Sequence, residues 1–413
     1  MGAFSTPLSG LMAAQEQLQT VSNNLANQNT DGYKDQNLTF SDIFVQTGAT
    51  NGAGDPIQTG SGVTVSSTDS DFTEGNLDAT GTASNMAISG SGFFITQSLT
   101  GTVDYTRAGD FTTNNAGQLV TPSGDLLLGY PAVNGVVNTS ATLAPLQVGT
   151  GVAIPAVAST TIGITANLDS DTANGDSATS SSLPIYDSLG SVHTLSVSYT
   201  KTAENTWTYT VTIPSADITG GTGTNTTVGS GTLNFSASGV LNSVTNVVPI
   251  SITNLSDGAS SMTLTGPFGT AAKPTITQTA SADATSATST DGFSGGTLST
   301  YSVQPDGTIE GTFSSGKTLA LGQVAISSFA NVQGLAAVGD NSYQPTNASG
   351  SPVIGLAGTG GRGTVVGGSV EQSNVDIAAE FAKLIVAQQA YSANAKSITT
   401  FNQVSQATLA MIQ

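Results

Sequence analysis

Residues 11–25 of this chain read LMAAQEQLQTVSNNL, and residues 377–412 read IAAEFAKLIVAQQAYSANAKSITTFNQVSQATLAMI. Apolar residues recur three and four positions apart in both stretches, which is typical of a helix with one apolar face. The N-terminal seam consists of Leu11, Ala14, Leu18, Val21 and Leu25. The C-terminal seam consists of Ile377, Phe381, Leu384, Tyr391, Ala395, Ile398, Leu409 and Ile412, interrupted by the polar residues Gln388, Asn402 and Ser405. Such a seam is not stable alone in water, so we expect each helix to pack against the other or against copies in neighbouring molecules.

The two helices are predicted to be long and to lie at opposite ends of the chain. The first is predicted at residues 6–27, because residues 27–32 read NQNTDG and favour turns. The second is predicted at residues 375–411, since neither Gly nor Pro occurs from residue 371 onward. At 1.5 Å per residue the helices are roughly 30 Å and 55 Å long. If both ends pack together, the domains are nested, and the chain divides into three: residues 1–33 with 371–413, residues 34–148 with 290–370, and an inserted domain at 149–289.

Between the helices the sequence favours short β-strands. Residues 86–95 resemble two strands around a Gly turn, and residues 105–120 resemble a hairpin. Residues 192–199 and 206–213 alternate polar and apolar side chains, which indicates antiparallel sheet with one wet face. The composition becomes simpler at residues 149–158 and at residues 279–294, a tract rich in Thr, Ser and Ala. Both segments are interpreted as linkers. The predicted fold class is mainly β with a terminal α-helical coiled coil, nested discontinuous domains and antiparallel β outer domains.

Composition excludes several classes of partner. The chain has 27 acidic and 8 basic residues in 413, a formal net charge of −19, so it offers no basic patch for nucleic acid or for an anionic membrane. It contains no cysteine, which excludes disulfides and thiolate sites. No apolar run has the length of a membrane span, and the N-terminus does not resemble a signal peptide. We therefore expect no membrane insertion, and the composition is compatible with export that uses no cleavable signal.

The motifs that could carry chemistry all favour an ordinary structural interpretation. Residues 311–318 read GTFSSGKT, which matches the phosphate-binding loop, but the following segment alternates like a strand where that site needs a helix. His193 is the only histidine, so a His-based metal cluster is excluded, and it lies inside an alternating strand. The acidic pairs at 69–71 and 169–171 lack the Gly and Glu of an EF-hand loop. We predict no catalytic, cofactor-binding or metal-binding residue, and no enzyme.

Several segments resemble the flagellar axial proteins, the family of bacterial rod and hook subunits. Residues 22–34 read SNNLANQNTDGYK, and within them Asn24, Ala26, Asn27, Thr30, Gly32, Tyr33 and Lys34 match the family signature. The resemblance continues through residues 87–94, 105–111, 117–130, 306–309 and 321–324. Near the C-terminus, Asn374, Val375 and Asp376, and then Asn394 and Ala395, match the second signature. The large central insertion favours the hook over the shorter rod proteins.

The resemblance implies a structural subunit that polymerises into a flexible helical tube, couples the rod to the filament and transmits torque for motility. It implies terminal helices that line the tube as an antiparallel coiled coil. The implied partners are copies of the same chain, the distal rod, the hook cap, the hook–filament junction proteins and the flagellar export apparatus. The implied location is the hook and basal body of the flagellum, outside the cell. The alternatives are another axial component similar to the distal rod, a surface adhesin, and a nucleotide-binding enzyme built on residues 311–318.

Overall fold

The computed structural model describes residues 2–43, 46–50, 56–149, 151–270 and 273–411. It contains two long α-helices and many short β-strands, in agreement with the predicted mainly β fold with terminal helices. The chain forms two compact units: the first comprises Met1–Gly149, Tyr301–Gly311 and Leu319–Gln413, and the second comprises Thr150–Thr300 and Thr312–Thr318. The first unit is therefore discontinuous in sequence, and the second is inserted into it along the chain.

Both helices have the predicted type and nearly the predicted ends. Helix α1 spans Gly2–Ala26 and tolerates Pro7 in its first two turns. The following turn reverses the chain at Gly32, whose φ of 71° favours glycine. Helix α2 spans Ile377–Met411. It begins after Asp376, whose Oδ1 accepts hydrogen bonds from the amides of Ala378 at 2.9 Å and Ala379 at 3.2 Å, as an N-cap does. Neither helix has an apolar stretch long enough to cross a membrane, as far as the described residues extend.

The strands are numbered in chain order. Before the second unit they are β1 (Gln36–Asp42), β2 (Gln46–Thr50), β3 (Pro56–Thr59), β4 (Val63–Ser70), β5 (Leu77–Ala79), β6 (Met86–Ser89), β7 (Phe93–Gln97), β8 (Val103–Thr106), β9 (Thr112–Thr113), β10 (Leu119–Val120), β11 (Leu126–Val133), β12 (Val136–Val137) and β13 (Ala144–Pro145). Those of the second unit are β14 (Ala153–Ile154), β15 (Ile162–Asp169), β16 (Ser177–Tyr186), β17 (Val192–Ala203), β18 (Thr206–Pro214), β19 (Asn225–Phe235), β20 (Leu241–Val248), β21 (Ile250–Ile252), β22 (Met262–Leu264), β23 (Gly269–Thr270), β24 (Lys273–Pro274), β25 (Ile276–Thr279) and β26 (Ala284–Thr290). The remainder are β27 (Gly296–Val303), β28 (Thr308–Phe313), β29 (Thr318–Ser328), β30 (Ala336–Gly339), β31 (Ser342–Gln344), β32 (Val353–Leu356), β33 (Thr364–Gly367) and β34 (Ser369–Glu371). Two short 3-10 helices occur at Ser215–Asp217 and Val332–Gly334.

The first unit is built on a sheet in which β29, β11, β7, β8, β31 and β30 lie side by side. All of these neighbours pair antiparallel. Successive side chains of a strand point to opposite faces, and here both faces are buried. Phe94 and Ile326 pack in one apolar cluster, while Phe93, Ile95 and Ala325 pack in another. Smaller antiparallel pairs join β1 to β4, β6 to β33 and β5 to β34.

The second unit is built on a five-stranded antiparallel meander of β16, β17, β18, β19 and β20. The alternation predicted for β17 and β18 is confirmed, because every second side chain is buried along both strands. Trp207 is fully buried and its Nε1 donates a hydrogen bond to Gln278 Oε1 at 2.9 Å. A second sheet orders β25, β15 and β26, and within it β15 and β25 are parallel.

One predicted linker is wrong. The interval 279–294 contains strand β26, which pairs with β15. Its Thr, Ser and Ala side chains carry little apolar surface, so the core of this region comes from β15, where Ile162, Ile164 and Leu168 are buried. The division of the chain into three domains stays a prediction, and the structure groups both helices with the strands of the first unit.

Candidate functional site: the terminal helices and their junction

Helices α1 and α2 lie antiparallel within the first unit. Asn24 Nδ2 donates a hydrogen bond to Glu380 Oε2 at 3.1 Å. At the other end, a Cβ placed on Gly10 would lie 2.9 Å from Asn394 Nδ2, so the two helices approach closely there. The two contacts are separated by 14 residues on each helix, which sets one register along the whole contact. Coiled-coil packing of the pair stays a prediction.

The N-terminal seam lies on the sheltered side of α1. Ala14 and Val21 are buried, and Leu11, Leu18 and Leu25 are partly buried. The polar residue Asn24, which the apolar pattern does not include, is fully buried on the same side. The single chain therefore buries two residues of this seam and partly covers the other three.

The C-terminal seam is only partly sheltered. Leu384, Ala395 and Ile398 are partly buried, whereas Ile377, Phe381, Tyr391 and Leu409 are exposed, and Ile412 lies outside the described residues. The buried residues of α2 are Glu380 and Ala387. Glu380 lies one position before Phe381 of the predicted C-terminal seam, and Ala387 lies one position before Gln388, a polar interruption of that seam. Ala387 and the hydrogen-bonded Glu380 thus face α1. The large apolar side chains Ile377 and Phe381 remain exposed beside this contact, on a surface here called the flank. A role of either seam in polymerisation stays a prediction.

The last part of α2 extends past α1. In the register above, residue 402 lies level with Gly2, where α1 begins. Residues 403–411, here called the α2 extension, continue for about 13 Å at 1.5 Å per residue. Every residue of the α2 extension is exposed, including Val404 at 57%, Leu409 at 64% and Met411 at 86%. No part of α1 within the described residues lies opposite this apolar segment.

Asn24 is the centre of a polar network, here called the junction network, where the ends of the chain meet. Tyr33 Oη donates to Asn24 Oδ1 at 3.0 Å, and Asn24 also contacts Asp35 and Glu380. Lys383 Nζ lies 2.5 Å from Glu380 Oε1 and 3.8 Å from Asp35 Oδ2. Burial raises the pKa of Asp35, and burial with the nearby charges of Asp35 and Glu380 raises the pKa of Tyr33 to about 12. The junction network joins α1, α2 and the chain that leads into β1.

A second group of charges, here called the buried triad, consists of Lys34, Glu371 and Arg107. Glu371 is fully buried, and its Oε1 lies 2.5 Å from Lys34 Nζ while its Oε2 lies 3.2 Å from Arg107 Nη1. The amide of Gly75 donates to Glu371 Oε1 at 2.9 Å. Burial lowers the pKa of Lys34, and the charge of Glu371 partly offsets that effect. The buried triad therefore connects the segment after α1 to the strand before α2.

Most of the other signature residues are also structural parts of this junction. Asn374 Oδ1 accepts from the amide of Asp35 at 2.8 Å, and Asn27 Oδ1 accepts from Thr30 Oγ1 at 3.2 Å. Gly32 donates its amide to the carbonyl of Glu371 at 2.7 Å. Asp376 caps α2, Val375 is partly buried beside it, and Ala26 is exposed at the end of α1. The motif-based prediction missed Glu371 and Glu380. A buried lysine requires an anion, but the sequence around Lys34 does not indicate which of the 27 acidic residues supplies it.

Residues 311–318, which match the phosphate-binding loop in sequence, form the turn of a β-hairpin and the strand residues beside it. They run from β28 through a turn into β29, and Gly316 occupies the turn with a φ of 78°. A strand follows where the nucleotide site needs a helix N-terminus. The prediction that a strand follows residues 311–318 is confirmed.

Comparison with known proteins identifies a class. Four family models match: the flagella basal body rod protein at residues 4–34, the flagellar hook protein FlgE/F/G D1 domain at 87–167, the flagellar basal body protein FlaE D2 domain at 155–293, and the flagellar basal body rod FlgEFG protein C-terminal region at 366–411. Together they define a flagellar axial protein of the rod and hook class.

Individual relatives narrow that class. The chain is 35% identical to the flagellar hook protein FlgE of Escherichia coli (strain K12), with 97% of this chain and 98% of the relative covered. It is 31% identical to the flagellar hook protein FlgE of Treponema pallidum, with 97% of each chain covered. The crystal structure of Helicobacter pylori flagellar hook protein FlgE2 has the same fold, with a TM-score of 0.55, 16% identity, and coverage of 71% of this chain and 100% of that one. The chain belongs to the flagellar hook protein FlgE family and is a structural subunit of the hook.

Proposed function

We propose that the chain assembles, through its terminal helices, into a flexible helical tube that couples the rod to the filament and transmits torque. Family membership supports a homopolymeric axial assembly in the flagellar hook and basal body. The observation that carries the proposal is the α2 extension, where Val404, Leu409 and Met411 are exposed on a helix that continues past its partner. An apolar helix end is marginal in water, so it gains stability by packing on another copy.

The geometry favours an open polymer. The α2 extension of one chain and the flank of Ile377 and Phe381 are different surfaces, and a contact between unlike surfaces is heterologous. Heterologous contacts that do not close into a ring produce a helical filament. The β-rich units carry few charges, since only 8% of the chain is charged, so contacts between them can slide without breaking strong ion pairs. Firm helical contacts and softer outer contacts together suit a tube that bends.

The remaining partners follow from the same assembly. A tube of this kind requires the distal rod at its base, a hook cap during growth, and hook–filament junction proteins at its far end. We propose that the subunit reaches the growing tip through the flagellar export apparatus, outside the cell and without a cleavable signal. The proposed role involves no catalysis, nucleic acid or membrane insertion.

The test is to place charges on the α2 extension. In the double variant Val404→Asp/Leu409→Asp, each aspartate must lose its hydration to enter an apolar contact, so tubes should not form. The control is Val133→Asp/Val136→Asp, which adds the same two charges at valines that are 66% and 70% exposed in the first unit. Negative-stain microscopy and sedimentation of concentrated protein measure the outcome. Tubes of normal length from the double variant would contradict the proposal.

A further inference from the structure

One end of the second unit brings a histidine together with three aspartates. His193 lies at the start of β17 and is 5% exposed, and Asp187, in the turn before it, is fully buried. Asp217 ends the 3-10 helix Ser215–Asp217, and Asp257 lies in the loop between β21 and β22. Two loops and a 3-10 helix therefore bring carboxylates to a single imidazole.

The backbone fixes both aspartates that face His193 Nε2. Asp187 Oδ1 accepts from the amides of Leu189 at 2.8 Å and Ser191 at 2.9 Å, and Asp187 Oδ2 lies 3.3 Å from His193 Nε2. Asp257 Oδ1 accepts from the amide of Ala259 at 3.0 Å, and Asp257 Oδ2 lies 3.8 Å from the same nitrogen. One nitrogen and two oxygens thus converge, and these ligand atoms lie within 4.8 Å of one another.

The other ring nitrogen is an independent indication of a ligand. His193 Nδ1 is buried and makes no hydrogen bond within the described part of the chain, although Asp217 Oδ2 lies 3.1 Å away. A metal-binding histidine usually donates its second N–H to a carboxylate, which fixes the tautomer and the ring orientation. A small rotation of the ring on binding a cation at Nε2 would direct the Nδ1 proton to Asp217.

We propose that Asp187, His193 and Asp257 bind a divalent cation of the zinc type, with Asp217 as a positioning residue. This proposal departs from the prediction made from the sequence, in which no residue binds a metal, because the fold brings carboxylates to the single histidine. Tetrahedral zinc bonded to nitrogen and oxygen at about 2.0–2.1 Å separates its ligands by about 3.3 Å. The separations of 3.3 and 3.8 Å from Nε2 need only a small closure to reach that geometry. An imidazole ligand favours zinc and similar transition metals over calcium and magnesium, which prefer oxygen alone.

The charge at this end of the unit favours a cation. The ion pairs described for Asp187, Asp217 and Asp257 all involve the single imidazole of His193. Three carboxylates that share one imidazole repel one another, and a divalent ion at Nε2 relieves that repulsion. The bound ion joins the turn after β16 to the loop after β21, so it stabilises the second unit.

The experiment uses the full chain after treatment with a chelator. Isothermal titration with Zn²⁺ should give saturable binding of one ion per chain, and Co²⁺ should produce the visible absorption of a four-coordinate site. Asp257→Asn should weaken the affinity for Zn²⁺ about 10- to 100-fold, and His193→Gln should abolish saturable binding. Asp171→Asn, an exposed carboxylate of the same unit, is the matched control and should leave the affinity unchanged.

Buried Trp207 reports whether each variant is folded, because it lies in the core of the same unit. If His193→Gln does not fold, the partly exposed Asp257 still provides the test. The proposal is overturned if wild type shows no saturable Zn²⁺ binding up to about 1 mM. It is also overturned if Asp257→Asn binds Zn²⁺ as tightly as wild type, or if Ca²⁺ competes equally with Zn²⁺.

Discussion

Replacement of Glu371 by Gln removes the only carboxylate described in the buried triad while nearly preserving its shape. In the native chain Glu371 lies 2.5 Å from Lys34 Nζ and 3.2 Å from Arg107 Nη1, and its side chain is fully buried. After the change two cations remain buried beside a neutral amide. Removal of one partner of a buried ion pair typically costs about 3–5 kcal/mol, because the remaining charge has lost its hydration without compensation. We therefore expect the free energy of unfolding of the first unit to fall by that amount.

Urea unfolding can show which of the two units loses stability. Far-UV circular dichroism at the helical band reports α1 and α2, which belong to the first unit, whereas the fluorescence of the only tryptophan, Trp207, reports the second. With a urea m-value of about 2 kcal/mol/M, the helical midpoint should fall by about 1.5–2.5 M. The Trp207 midpoint should stay where it is in wild type.

The matched control is Glu16→Gln, the same chemical change at an exposed position of α1, for which we expect a shift within about 0.5 kcal/mol. In the background Lys34→Met, which removes one of the two cations, Glu371→Gln should cost about 1–3 kcal/mol less than in wild type. A helical midpoint within about 0.5 M of wild type would refute this account of the buried triad. Equal shifts of the helical and Trp207 midpoints would refute the assignment of the effect to the first unit.

Three further predictions concern the same junction. Asp376→Ala removes the cap of α2, so it should cost about 1 kcal/mol in urea unfolding followed at the helical band. Gly32→Ala should cost more than about 2 kcal/mol in the same assay, because its φ is 71° and the added Cβ would lie 2.4 Å from the amide nitrogen of Ala108. The control is Gly81→Ala, which has a similar φ of 69° but open space around it, so it should cost only about 1 kcal/mol. Burial raises the pKa of Tyr33 to about 12, so the unfolded chain loses the phenol proton at a lower pH than the folded chain, and stability falls as pH rises from 10 to 12. Tyr33→Phe should make that fall shallower, and urea midpoints at pH 9 and pH 11 measure the difference.

Local signals predicted the helices and many of the strands. The turn residues at 27–32 end α1 close to its predicted limit, and the alternation of β17 and β18 appears as alternate burial. The face of α2 that contacts α1 was not predictable, because a spacing of three and four residues fits two adjacent rows of side chains on the helix equally well. Only the position of α1 selects Ala387 over Gln388.

The long-range contacts carry no local signal. Glu371 is 337 residues from Lys34, and its burial depends on a strand pairing that the sequence near it does not reveal. His193 similarly acquires Asp217 from a 3-10 helix and Asp257 from a loop, both farther along the chain. The tract that forms β26 lacks apolar residues, so composition predicts a linker although pairing with β15 makes it a strand.

Hydrogen exchange of the α2 extension, compared between dilute monomer and assembled tubes, tests whether that segment forms the polymer contact. We propose that the α2 extension, residues 403–411, lacks a partner helix in the single chain and acquires one from another copy. We expect its amides to exchange rapidly in the monomer and at least about tenfold more slowly in the polymer, while those of the β17–β18 hairpin stay protected in both. Slow exchange of residues 403–411 already in the monomer, or equal exchange in both states, would contradict a polymer contact at the α2 extension.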